Sequence, residues 1–519
     1  MIQLLIVLLG TALADEGPPP VCDPDTEVVD GDHLLRALSL DLRGVVPTAE
    51  DHEALVDGEV PDELLDAWLD DEGFVERVVR HHEALLWPNV GDIRLLSNRQ
   101  RMISKNGVLY RYLVAPNYRG GPEYCGDFEA SWDGQGELVT RTTPEGWIQE
   151  GWVEVHPYWA PDTTVKVCAF EAQTAEVSPW GTECDTYDSR YDPYCGCGPG
   201  LQWCDTPALG HVQEEGYVAP VHRAIAEDVR RRIARVIRGD LSYLELFTSP
   251  VAYVNGPLAH FYRHNTRTPA HVRFNEMPVD PDLLPDLDFT DEDTWVEVSL
   301  GEEQAGVLTS PLYLMKFQTR RARANRFYTA FLCQPFQPPD GGIPGLDEAD
   351  PTLDLTQRKG CQYCHAILEP AGAHWGRWGE YGAGYLPASR YPTTAPECQW
   401  CAQTGESCSA ACRQYYVVDP LTQEQDPYVG MLQGYQFLEE RHRSHPEVGP
   451  KLLATQGVVD GRLPRCVART TATWLLGREP ATHEEAWVDA LARTFTEADY
   501  RYDALVRAIV TSDNYRRVR

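Results

Sequence analysis

The chain has 519 residues and a formal net charge of −34 at pH 7, with an isoelectric point near 4.8. Such acidity excludes the basic face that nucleic-acid binding favours and any simple electrostatic attraction to an anionic membrane. The length allows two to four domains, and the charge keeps such a chain in solution.

The first fourteen residues read MIQLLIVLLGTALA. The apolar run from Leu4 to Leu9 is too short to span a bilayer, and Ala12-Leu13-Ala14 is a small-residue cleavage signal. Residues 1–14 are therefore predicted to be a secretory signal peptide, and 15–29 a polar, Pro-rich linker. Cys22 stands too far from the small residues to make a lipobox. Fifteen cysteines agree with export to an oxidising compartment, the periplasm or the cell exterior. No other apolar run approaches membrane length, so no transmembrane segment is expected.

Residues 30–116 are predicted to form an N-terminal helical domain. "DGDHLLRALSLDL" pairs an Asp cap with leucines at helical spacing and stops at Gly44. "PTAEDHEALVDG" offers Thr48 as a cap with Asp51 three on, and ends at Gly58. A third helix opens at Pro61 and closes at Pro88. His81 and His82 are neighbours on it and diverge by about 100°, so they read as a surface-and-core pair rather than as ligands of one ion.

Helical periodicity is lost over residues 117–215, where Gly, Pro, Trp, Tyr and six cysteines (Cys125, Cys168, Cys184, Cys195, Cys197 and Cys204) accumulate. "WIQEGWVEVHPYW" alternates like a strand. The segment is predicted to be a β-rich or irregular insertion stapled by disulfides, with a metal knuckle at "CGCGPGLQWC" as the alternative. A middle helical domain follows over 216–345. Ile225, Val229, Ile233, Val236 and Ile237 share one face of its first helix, which Gly239 ends. "LSYLELFTSPVAYVNGPLAHFYRHN" reads as helix–turn–helix, 276–305 as loop or short strand, and 306–335 as helix running into the linker "QPFQPPDGGIPG". Residues 346–430 hold a distinctive motif, and 431–519 are predicted to be a C-terminal helical domain. There Thr482, with a Glu three residues on, reads as a capping box.

The motif is "KGCQYCHAILEP". On a helix Cys361, Cys364 and His365 project from one face. Two thiols three residues apart can bond the two vinyl carbons on one edge of a porphyrin, and the next imidazole can ligate its iron; C-x-x-C-H is the signature of c-type haem attachment. A structural zinc held by Cys361, Cys364, Cys398 and Cys401 is a rival, as are ordinary disulfide cysteines. Cys408 and Cys412 follow within "CQWCAQTGESCSAAC", so those four cysteines pair more simply among themselves.

"GCQYCHAILEPAG" resembles the haem-motif segment of planctomycete-type cytochrome c-like exported proteins, large multi-domain proteins of unknown function. "LLRALSLDLRGVVPTAED", "YLELFTSPVAYVNGPLAHFY", "GVLTSPLYLM…RANRFYTAFLCQPFQPP" and "RCVARTTATWLLGREP…LVRAIVTSDNYR" resemble further segments of the same proteins, in the same order. Residues 117–215 have no counterpart. Where those proteins carry Asp-Pro, Gly-Phe and Phe-Asp after the motif, this chain has Glu369-Pro370, Gly372-Ala373 and Trp378-Gly379. The resemblance implies export and one covalent haem c on Cys361, Cys364 and His365. His365 would be the proximal iron ligand, with Met431 or His374 as the distal candidate and Met315 behind them. The methionines otherwise read as core packing. Trp375, Trp378 and Tyr381 are candidates for the haem wall. Cys333 and Cys466, both in family-like helical stretches, are expected to form a disulfide.

The expected fold is mainly α: multi-helical domains around a cytochrome c-like haem segment, with a disulfide-rich β or irregular insertion. The expected function is electron transfer by an exported c-type haem protein, in which a basic redox partner would suit the acidic surface. A haem-dependent oxidoreductase and a binding protein using the aromatic-rich insertion are the alternatives. No HExxH, GxSxG, Walker or Rossmann signature points to a reaction.

Overall fold

The computed structural model describes residues 29–87, 100–111, 118–121, 124–204, 218–265, 277–336, 342, 354–420, 423–442 and 448–518. The expected leader, nearly all of the linker after it, Cys22 and most of the Gln334–Gly345 linker lie outside these residues. Helices carry about 48% of the described backbone and the strands are short, in line with a mainly α chain. Two compact units are formed, one from Met1–Arg77 with Pro464–Arg519 and one from Val78–Leu463.

The first unit joins the two ends of the chain. Asp30 opens the helix Gly31–Leu42 by accepting from the His33 amide, and Leu34, Leu35, Leu38 and Leu42 are buried on its inner face. Thr48 and Asp51 form the predicted capping box, although the helix they start is short, Ala49–Glu53. The single helix expected from Pro61 to Pro88 is two, Asp62–Leu69 and Glu72–Leu86. Asp71 breaks it: its carboxylate accepts from the Gly73 amide at 2.6 Å, so it begins a new helix rather than continuing the old one. The C-terminal segment supplies Arg462–Leu476, Glu485–Glu497, Tyr502–Val510 and Asp513–Val518. Tyr515 donates its hydroxyl to Asp41 at 2.8 Å, and Arg507 pairs with Asp62 at 2.9 Å. The predicted Thr482 cap is replaced by Glu484, which accepts from the Ala481 amide at 2.8 Å and pairs with Arg478.

In the second unit the Cys-rich insertion is built on a four-stranded sheet. Its order is Met102–Lys105, Val108–Arg111, Val165–Cys168, Trp152–Val155, with the central pair parallel and the outer pairs antiparallel. Two of these strands lie within residues 30–116, which were expected to be helical. Asn106 and Gly107 explain the difference. Both have positive φ, 54° and 80°, and Lys105 faces Val108 across them, a two-residue hairpin turn that suits Asn-Gly. Three disulfides staple the insertion: Cys125–Cys168, Cys184–Cys195 and Cys197–Cys204. These pairings leave no thiolates for a metal knuckle in "CGCGPGLQWC". At the centre Arg119 is fully buried between Glu150 and Glu171, with 2.8 Å to Glu171. Burial raises the Glu150 carboxyl above its ordinary range, against the pull of Arg119.

The remainder of the unit is helical. Val218–Arg238 buries Ile225, Val229, Ile233 and Val236. The expected helix–turn–helix after it contains a strand instead, Val251–Val254, paired antiparallel with Val296–Ser299. Val251 and Val254 are β-branched and lie between Pro250 and Asn255, which favours extended backbone. Asn255 then caps Gly256–His260. His82 proves to be a core residue, with Nδ1 against the Val78 carbonyl and Nε2 against the Tyr243 hydroxyl, each at 2.8 Å. The segment 306–335 is divided into Pro311–Lys316, capped by Ser310, and Arg320–Phe331, capped by Thr319. Cys333 and Cys466 are both disulfide-bonded.

Candidate functional site

Gly360, with φ 85°, turns the chain into the motif, a conformation that a side chain would strain. The Cys361 amide donates to the Arg358 carbonyl at 3.0 Å, and the His365 amide to the Cys361 carbonyl at 3.1 Å. The helix Gln362–Gly372 follows. Cys361, Cys364 and His365 therefore share a helical face, as their spacing predicts. This helix packs against Arg320–Phe331. Arg323, buried in the latter, donates to the carbonyls of Phe317, Leu314, Gly379 and Gly382. It so ties the loop beyond the motif to the preceding domain.

Cys361 and Cys364 are the free thiols among the described residues, and both are partly exposed. Every other described cysteine is oxidised. Cys398 pairs with Cys412 and Cys401 with Cys408, which removes the four-thiolate zinc set. The one grouping of three possible metal ligands among the described residues is Cys125, Glu150 and Cys168, and its two sulfurs are bonded to each other.

His365 has 22% of its side chain exposed, and its Nδ1 lies 2.6 Å from Glu369 Oε1. A carboxylate on Nδ1 fixes the tautomer that leaves Nε2 as the lone-pair donor. Arg321 holds the same carboxylate oxygen at 2.6 Å. The helix is bare for its first two turns. No residue from Cys361 to Pro370 is buried, and Tyr363 and Ile367 are 48% and 47% exposed.

The other expected ligands lie elsewhere. His374 follows in a short turn, Ala373–Trp375. Nine residues of helix place it roughly 13 Å along the axis from His365. It is buried, its Nδ1 is 3.2 Å from the Gly449 carbonyl, and burial pushes its pKa down to about 4. Met431 is half-buried against the cluster formed by Cys398, Cys401, Cys412, Tyr416 and Leu432. Met315 is buried in Pro311–Lys316. Trp375 is fully buried, donates to the Leu308 carbonyl at 3.0 Å and stacks on Tyr313. Trp378 is buried against Tyr385, whereas Tyr381 is 47% exposed.

Sequence reasoning missed the surroundings of the motif. A cleft of about 430 Å³ opens beside Glu369. Its lining combines Tyr416, Val417, Val418 and Phe437 with three arginines, Arg320, Arg321 and Arg413, and three carboxylates, Glu369, Glu380 and Asp419. The i, i+4 step from His365 to Glu369 was the only signal available for any of this.

Residues 459–515 match a family model described as a protein of unknown function, DUF1585. That family occurs in cytochrome c-like planctomycete proteins. No curated protein and no solved structure matches the chain. The matched stretch covers the C-terminal helices and does not include the motif.

Proposed function

We propose that the chain is an exported c-type haem protein that transfers electrons, with one haem c bound through thioethers to Cys361 and Cys364 and ligated by His365. The observation that carries this reading is the contrast among the cysteines: the motif pair are thiols, while all other described cysteines are in disulfides. The residues also fit the group. Both thiols are partly exposed, and the imidazole is oriented through Nδ1 by Glu369.

A bound haem would supply a one-electron iron couple, and the protein sets its potential through the axial ligand, hydrogen bonds and burial. Glu369 keeps His365 in one tautomer through its contact with Nδ1. Arg321 limits the movement of Glu369. The net charge of −34 favours a basic partner and an encounter that weakens with salt. Export is supported by the disulfides. Among the described residues no helix is long and apolar enough to cross a membrane.

The test is a pyridine haemochrome spectrum of the chain exported with cytochrome c maturation machinery, beside the Cys361→Ala, Cys364→Ala double variant. A c-type spectrum lost in the variant is expected. A wild-type chain without haem, its two motif cysteines joined in a disulfide, would remove the proposal.

A second reading is favoured by the insertion, where Trp132, Trp180 and Tyr191 are each more than half exposed. It makes this region a binding surface. Glycan binding that is lost in Trp180→Ala, with haem content unchanged, would support it.

A further inference from the structure

The cleft beside Glu369 adjoins a second one, of about 260 Å³. Trp378, Tyr381, Tyr385 and Tyr415 line the second cleft, with Gln414 beside them. Arg320, Glu380, Gln433 and Gly434 line both. The two clefts therefore make one groove with a charged half and an aromatic half. None of Cys361, Cys364 and His365 lines either half.

The aromatic half is built on a small hairpin. The Gly379 amide donates to the Gly384 carbonyl at 2.8 Å, and the Leu386 amide to the Arg377 carbonyl at 2.9 Å. Trp378 and Tyr385 face each other across it, with ring centroids 4.9 Å apart. The loop between them is pinned by the buried Arg323 guanidinium, which donates to the Gly379 and Gly382 carbonyls at 2.6 and 3.1 Å. Glu380 at its tip accepts from the Arg320 amide at 3.0 Å, and the Tyr381 amide donates to the Gln318 carbonyl at 2.6 Å. So held, Tyr381 has φ 60°, a conformation that a bulky residue rarely adopts, yet its side chain stays half-exposed. Strain of this kind collects at ligand-binding positions, and here it presents an aromatic ring to the groove.

The chemistry of the lining selects a ligand class. Three guanidinium groups stand beside three carboxylates in the charged half, so its walls carry no net charge and draw in neither anions nor cations as a single-sign cleft does. Guanidinium, carboxylate and carboxamide groups are planar and can make paired hydrogen bonds, which suits two neighbouring hydroxyls. Aromatic rings offer an electron-rich face, which suits a sheet of C–H groups. A sugar ring has both, hydroxyls at its rim and C–H groups on its face. We infer that the groove binds a neutral saccharide chain, one ring of which packs on Tyr381 while the hydroxyls of the chain reach the charged half. This activity lies beyond electron transfer and does not rest on the haem reading, so a failure of that reading leaves it standing.

The experiment is isothermal titration calorimetry of the full exported chain with cellotetraose, xylotetraose and mannotetraose, and with tetragalacturonate as the acidic counterpart. At least one neutral chain is expected to bind, and tetragalacturonate is not. Tyr381→Asn should weaken that binding on the order of tenfold; Asn tolerates positive φ, so the loop keeps its shape. Tyr381→Phe, which retains the ring, should bind as the wild type does. Gln433→Ala, where the two halves meet, should weaken binding several-fold. Trp180→Ala, in the insertion, should change nothing. Silence with all three neutral chains overturns the inference, as does binding of tetragalacturonate alone, which would mean that the arginines select an acid. Binding that survives Tyr381→Asn and is lost in Trp180→Ala places the saccharide on the insertion and overturns the assignment of the groove.

Discussion

Glu369 stands one helical turn beyond His365, and its carboxylate takes both the imidazole Nδ1 and the Arg321 guanidinium at 2.6 Å. An anionic acceptor pushes electron density through the ring to Nε2 and so toward a bound iron. In the haem-loaded protein Glu369→Gln should therefore raise the midpoint potential while leaving the covalent haem content unchanged. Spectroelectrochemical titration beside a haemochrome assay checks this. A midpoint that stays in place would mean that the carboxylate leaves His365 once haem is bound. The contact was within reach of the sequence, because residues four apart on a helix meet. Arg321 was not, since it lies 48 residues upstream and reaches Glu369 only through the packing of two helices. The same limit applies to His374, which lies in the turn Ala373–Trp375 and meets the Gly449 carbonyl 75 residues on, a partner that no local spacing announces.

Local elements differ in how much of themselves they announce. "KNGV" carries a hairpin signal that the helical expectation for 30–116 passed over, and the turn at Asn106-Gly107 depends on two positive φ values. Gly107→Ala should destabilise the insertion by about 1 kcal/mol, read as a lower urea midpoint, whereas Lys105→Ala should have less effect. The cysteines of 117–215 marked a stapled insertion, and the staples formed. Nothing in the sequence marked its buried charges. Arg119 lies 31 residues from Glu150 and 52 from Glu171, and only the folded insertion brings the three together. A buried pair broken on one side leaves an uncompensated charge, which costs about 3–5 kcal/mol. Arg119→Met should therefore lower the denaturation midpoint far more than Gly107→Ala does. Equal effects would show that water reaches the Glu150 and Glu171 carboxylates. Of the candidate site, the motif helix was legible because its three residues are local. The cleft was not, because its walls come from 320–321, 369–380 and 413–437, which no periodicity connects.

At the scale of the whole molecule, acid is the condition that separates two opposing effects. The chain carries a net charge of −34 with histidine neutral, so it repels itself, and protonating carboxylates would relieve that repulsion. Ordinary carboxyls titrate near 3.8 and 4.5, so the relief arrives mostly below pH 5. The buried histidines act earlier and with the opposite sign. Burial pushes both His82 and His374 from 6.5 down to about 4, and both belong to the unit Val78–Leu463. Between pH 6.5 and 4 the unfolded chain binds protons at these sites that the folded chain refuses, so stability falls as the pH drops through this window. Each histidine should cost roughly 2 kcal/mol between pH 7 and pH 5, before the carboxylates respond appreciably. Urea unfolding at fixed ionic strength, followed by tryptophan fluorescence, should show the midpoint declining over this range. Tyr243→Phe tests the origin of the effect: it removes the hydroxyl that meets His82 Nε2 at 2.8 Å, so it should lower stability at pH 7 by about 1 kcal/mol while leaving most of the His374 slope intact. A midpoint that holds level from pH 7 to pH 5 in the wild-type chain would mean that these imidazoles, together with those of His81 and His264, which burial also pushes down, accept protons inside the fold, and that carboxylate repulsion governs its response to acid.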